Sequence, residues 1–167
     1  MMTWHRQALG LLLLTLIGCA ATPGKVSQTE SVNTIDAPKG FAVDGYDPVA
    51  YFTDQRPVLG SDAYTLHWQG ARWKFSSAEH RTQFVANPGH YAPQYGGYCA
   101  FAVANGTTAH GSPQQWAIVN DRLYLNNNAL AKALWDRDRP GHIRAADVNW
   151  PAIPKKDHPS DAAPSAS

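Results

Sequence analysis

The 167-residue chain has two methionines, Met1 and Met2, so everything beyond its first two residues lacks this side chain. That excludes a methionine-rich cuprous site and weakens any blue-copper analogy, because both depend on thioether sulfur. Cysteine is as scarce, with only Cys19 and Cys99, and no Cys-x-x-Cys pair. The Gly-x-Ser-x-Gly elbow, the phosphate loop and the dinucleotide fingerprint are also missing, so no catalytic motif argues for an enzyme. Charge of one sign is lacking too. Lysine and arginine number 14 against 13 acidic residues. Once the basic residue of the leader, Arg6, is set aside, the balance is zero. Nucleic-acid binding runs on a marked basic excess, and a polybasic membrane patch needs one as well, so neither is expected. Finally, no apolar run approaches the roughly 20 residues of a spanning helix.

What the N-terminus does have is a short polar start (His5, Arg6), an apolar stretch from Ala8 to Gly18, and then the small residues Ala20 and Ala21. This is the layout of a signal peptide over residues 1–18. Leu16-Ile17-Gly18-Cys19 resembles the lipobox of bacterial lipoproteins, in which the cysteine becomes the acylated first residue of the exported chain. The expectation is a protein anchored to the bacterial cell envelope through Cys19. Ala20 resembles the default sorting signal for the outer membrane, facing the periplasm. With Cys19 acylated, Cys99 has no partner within the chain. In an oxidising compartment such a thiol is either buried and inert or put to use.

Residues 19–39 are rich in Ser, Thr, Ala, Gln and Pro without apolar periodicity and read as a flexible tether. Residues 154–167 have the same character and read as a disordered tail. Between them, residues 40–153 make one domain. Tyr64–Trp68 and Ala71–Phe75 alternate aromatic and β-branched residues about Gln69-Gly70, which predicts a hairpin. Ser76 or Ser77 caps a following helix that Asn87-Pro88 ends. Tyr91–Gly97 is rich in turns and aromatics. A second hairpin pairs Trp116–Asn120 with Arg122–Asn126. Asn127 or Asn128 caps a helix from about Ala129 to Arg137, which stops before Pro140. No internal repeat is evident in the residues. Hairpins alternating with short helices, without βαβ crossovers, give the α+β class.

Four segments carry a family resemblance: Val43-Asp44-Gly45-Tyr46-Asp47-Pro48-Val49-Ala50-Tyr51-Phe52, Trp68 to Ser77, Phe84 to Ala100, and Arg122-Leu123-Tyr124-Leu125-Asn126. In this order they resemble the YHS domain-containing family, in particular its longer envelope members. Short members look like metal-binding modules beside heavy-metal pumps, with cysteines at three places. Here those places hold Ala50, Ser76 and His80, so the inherited thiolate set is not present. The resemblance implies a small domain of hairpins and packed helices with a metal-linked role. Cys99 is a feature of the longer members.

Cys99 and His80 are the first candidate metal donors, with Asp44 or a tyrosine completing a mixed site suited to copper before zinc. Equally open is a Cys99 packed among aromatics as a small apolar side chain. The segment Asp44–Pro48 carries two carboxylates beside a glycine, readable as an acid–base pair or as a turn in which each Asp accepts backbone N–H bonds. His67, His90, His110, His142 and His158 show no metal-ligand spacing. Tyr91, Tyr95 and Tyr98 cluster beside two glycines and are the candidate surface for a protein or small-molecule ligand. The sequence thus leads to an accessory protein of the envelope that binds or buffers a transition-metal ion. Its alternative is a metal-free recognition module working through the Tyr91–Tyr98 loop, with an envelope protein as possible partner.

Overall fold

A computed structural model describes residues 40–153. The expected leader, Cys19, the tether and the tail lie outside the described residues. Ten regular elements follow one another: α1 Ala50–Thr53, β1 Ser61–Trp68, β2 Ala71–Phe75, α2 Ala78–Ala86, α3 Pro88–Tyr91, α4 Ala100–Ala104, β3 Ser112–Val119, β4 Arg122–Asn126, α5 Ala129–Asp136 and α6 Arg139–Asn149. The strands form two separate two-stranded antiparallel sheets, β1 with β2 and β3 with β4. The class is α+β. No helix among the described residues is long and apolar enough to cross a membrane.

The backbone repeats where the residues do not. β1 and β2 recur as β3 and β4 with the same lengths, 51 residues on. Both hairpins turn on two residues of positive φ, Gln69-Gly70 (48° and 70°) and Asn120-Asp121 (49° and 60°), the turn whose twist matches antiparallel strands. Each hairpin slips register in the same interval, between Ser61 and Thr65 in one and between Ser112 and Trp116 in the other. Each is preceded by a 3₁₀ turn containing left-handed residues: Val43 and Asp44 (φ 51° each) before Gly45 (80°), and Tyr95 and Gly96 (55° and 61°) before Gly97 (82°). Each is followed by a side-chain-capped helix, with Ser77 accepting from the His80 N–H and Asn128 from the Ala131 N–H. Even the loop closures agree, since Asp47 N–H donates to the Val58 carbonyl at 2.8 Å and Cys99 N–H to that of Ala109 at 2.9 Å. Two units of one design therefore make up the domain, which corrects the reading of no repeat. What recurs is φ and hydrogen bonding, which quite different side chains satisfy.

The units share their cores through β4. Side chains alternate along a strand, and on β4 Leu123 and Leu125 join Val49, Tyr51, Trp73, Phe75 and Phe84 of the first unit. Tyr124, between them, joins Tyr95, Tyr98, Trp135 and Trp150. Phe84 sits among Trp68, Trp73 and Phe75 with ring centroids 5.0–5.5 Å apart. Burying a side chain of that size stabilises the fold by about 3 kcal/mol. Tyr51 ties the units further, donating from its hydroxyl to the Pro113 carbonyl at 3.0 Å and meeting the Trp116 ring edge-on.

Two elements differ from expectation. The helix expected from about Ala129 does stop before Pro140, as α5, but Pro140 then lies in the first turn of a further helix, α6, which was not expected and where a missing N–H leaves no hydrogen bond unmade. Asp138 caps that turn by accepting from the Gly141 N–H at 2.9 Å. The short helix α3 comes just before the turn-rich stretch Tyr91–Gly97, which contains the 3₁₀ turn Gln94–Gly97.

Candidate functional site

Asp47 is wholly buried, and its carboxylate organises the first unit. Oδ1 accepts from the Val49 N–H at 2.9 Å. Oδ2 accepts from the Ser76 N–H at 2.8 Å, from the Ser76 hydroxyl at 2.6 Å and from His80 Nδ1 at 2.6 Å. The sequence builds this hub locally. Pro48 fixes the turn that aims Asp47 inward, Ser76 ends β2, and His80 lies in the first turn of α2, just inside the Ser77 cap. A carboxylate that accepts from Nδ1–H fixes the imidazole tautomer and leaves the Nε2 lone pair for other chemistry.

The His80 side chain is 14 % exposed, and Nε2 lies 3.4 Å from the Thr53 hydroxyl at the end of α1. Asp47, His80 and Thr53 are thus in line, as in a nucleophilic relay. The hydroxyl hydrogen is committed elsewhere, however, since Thr53 Oγ1 donates to Asp54 Oδ1 at 2.7 Å. The stronger, charge-assisted bond takes the proton away from His80, so the arrangement presents an oriented imidazole rather than an activated hydroxyl.

The second unit supplies an internal control. There Cys99 holds the place of Asp47, Asn127 that of Ser76 and Ala131 that of His80. The backbone need that Asp47 meets at Val49 is met at Phe101 by another residue, the buried Asn126, whose Oδ1 accepts from the Phe101 N–H at 3.2 Å. The architecture therefore needs a buried acceptor at this point but no histidine on the helix.

The three expected metal donors have different partners. His80 is bound to Asp47. Asp44 pairs its Oδ2 with His110 Nε2 at 3.0 Å, while its Oδ1 is buried without a hydrogen bond. Cys99 is 1 % exposed and lies 3.8 Å from Asn126 Oδ1, as an S–H donor would. Among the described residues no group of three or more His, Cys, Asp or Glu is arranged to hold a metal ion. The expected common site of Cys99, His80 and Asp44 is thus not assembled. Each candidate makes its own bond before any ion arrives.

The tyrosine loop also needs correction. Tyr95 and Tyr98 are core residues, 5 % and 3 % exposed. Tyr95 donates to Asp147 Oδ1 at 2.9 Å, and burial, with that hydrogen bond, pushes its phenol well above the ordinary tyrosine value. Tyr91 packs on Phe52 and His90. Three aromatics beside glycines signalled a surface because nothing in sequence told which way they pointed. The main chain of the same segment nevertheless borders a cleft of about 130 Å³, whose walls are Trp68, Gln69 and Trp73 of the first hairpin and Gly89, Ala92, Pro93, Gln94 and Gly96. Trp73 is 1 % exposed and gives its Nε1–H to the Trp68 carbonyl at 3.0 Å. The alternation that marked these tryptophans as core did not reveal that Trp68, at the strand end, is only half covered.

Compared with known proteins, the chain matches no family model, no curated protein and no solved structure.

Proposed function

We propose that this chain is a non-catalytic binding protein of the bacterial cell envelope, tethered through Cys19, whose YHS-like domain takes its ligand in the Trp68–Trp73 cleft. The cleft carries the reading. It is concave, lined by aromatic and apolar surface with two carboxamides, and bordered by a loop, which is the composition of a small-ligand site. The lipobox-like Leu16–Cys19 supports the location, and the near balance of charge, 14 basic against 13 acidic residues, directs attention away from polyanions. Two measurements test it. Labelled palmitate should enter the wild-type chain and not Cys19→Ala. Screening small neutral compounds by the indole NMR signals should perturb Trp68 first; a screen that moves only signals outside the cleft refutes the reading.

A second reading is favoured by one observation, the imidazole of His80 held by the buried Asp47 with Nε2 beside the Thr53 hydroxyl, which itself donates to Asp54. Metal-ligating histidines carry such a carboxylate on the other nitrogen. The donors about Nε2 are oxygens, which shifts the expected ion from copper toward zinc and removes Cys99 from the ligand set. In a zinc titration against a chelator, His80→Ala should abolish binding and Cys99→Ser should leave it unchanged. Loss in Cys99→Ser would restore the thiolate site that the sequence suggested.

A further inference from the structure

Resting on the cleft as the ligand site, we infer that its ligand is a single neutral saccharide ring. None of the side chains that line the cleft is ionisable, and the charge beside its rim, the Arg122 guanidinium, is engaged by the Gln94 carbonyl. An ammonium entering it would lose water and find no carboxylate in the lining, and an anion would have Arg122 only beyond Gln94, a cost that a neutral ligand avoids. Trp73, 1 % exposed, closes the cleft from the core side, and its indole N–H is already given to the Trp68 carbonyl, so it offers an incoming group no polar partner. Partly buried Trp68, at 62° to Trp73 with centroids 5.6 Å apart, supplies the ring that a ligand reaches. At the rim stand two carboxamides, Gln69 and Gln94. Each amide brings both donors and an acceptor, and the Gln94 carbonyl takes a hydrogen bond from Arg122 at 3.3 Å, which holds that amide toward its donor role.

A purely apolar ligand would cover these amides without pairing them, which disfavours it. A polyol with no apolar face would waste the indoles. A pyranose has both parts, a C–H face for the Trp68 ring and an equatorial edge of hydroxyls that donate and accept. A volume of about 130 Å³ favours a small ligand.

The experiment uses the full chain and sugars matched in ring size, following the indole signals by NMR. The probes are methyl β-D-glucopyranoside and N-acetylglucosamine (neutral), glucuronate (anionic) and glucosamine (cationic). Millimolar binding of at least one neutral sugar is expected, with a shift at Trp68 Nε1 and about tenfold weaker binding of both charged sugars. Gln94→Ala, a partly exposed change, should weaken binding about tenfold, and Trp68→Phe, which keeps a ring, less than Trp68→Ala. Equal binding of charged and neutral sugars overturns the inference. So does the failure of every sugar while the apolar probe indole shifts Trp68, a result that leaves the cleft as the site. If indole and the sugars alike leave Trp68 unmoved, the cleft reading falls with it.

Discussion

His80 and Ala131 stand at the same point of two equivalent helices, each giving its N–H to the capping side chain three residues before it, Ser77 at 3.1 Å and Asn128 at 2.9 Å. One side chain reaches a buried carboxylate and the other is a methyl group. The fold thus tolerates alanine where the first unit has a histidine, and this separates what Asp47 does from what His80 does.

Asp47→Ala should destabilise the domain by about 3 kcal/mol, because it strands the Val49 and Ser76 N–H groups in a buried place. His80→Ala should cost less, about 1–2 kcal/mol, because Asp47 keeps its Val49 and Ser76 donors. Urea unfolding of both variants measures the difference. Equal losses would make His80 a structural residue and remove the reason to look for chemistry at Nε2.

Cys99, 1 % exposed, should react with a thiol reagent only as fast as the domain opens, with urea accelerating the reaction steeply. Cys99→Ala should cost about 1 kcal/mol, the scale of a small buried side chain with a weak donor. Rapid modification of the native protein would contradict its place beside Asn126.

Gly60 and Gly111 occupy equivalent points where the chain passes close to the hairpin. A Cβ on Gly60 would meet the Lys74 carbonyl carbon at 2.7 Å and the Phe75 nitrogen at 2.8 Å, and one on Gly111 the Leu125 Cβ at 2.9 Å. Alanine at either site should cost about 2–3 kcal/mol or more. Gly106→Ala is the comparison, with φ at +78° but nothing within 4 Å, and should cost only about 1–2 kcal/mol of backbone strain. Thermal melts followed by circular dichroism rank the three.

Burial drives the phenols of Tyr51, Tyr95 and Tyr124 above the ordinary tyrosine value. A raised folded value means that their contribution is full below about pH 10, where the unfolded chain also keeps its protons. Above that, the unfolded chain ionises and the folded one does not. Stability should fall by up to about 1.4 kcal/mol per pH unit for each such group. Phenolate absorbance of these residues should rise together with unfolding, and Tyr51→Phe should make the decline shallower. Titration of all seven tyrosines before unfolding would refute the assignment of these three to the core.

Both hairpins were legible because strand alternation and a two-residue turn are local signals. The helix starts at Ser77 and Asn128 were legible because a cap is a side chain bonding its own next turn. The start of α6 was missed through giving Pro140 the meaning of a stop, although Asp138 two residues before it marks an N-terminus. The repeat was hidden for a deeper reason. Val43-Asp44-Gly45 and Tyr95-Gly96-Gly97 share a backbone path rather than side chains, and a left-handed residue announces itself in sequence only when it is glycine or asparagine.

The sequence by itself determined the α+β class, the hairpin registers near their turns, the near balance of charge and the expectation of a lipid anchor, since these depend on composition or on neighbours within a few positions. Only the tertiary structure decided the rest. It sent Tyr95 and Tyr98 inward, paired His80 with Asp47 and Asp44 with His110, closed Cys99 behind Asn126, and left Trp68 half open above Trp73. Each of these outcomes joins residues 5 to 66 positions apart. Which polar group meets which partner at such range is set by how two repeated units share one strand, and no local pattern carries that information.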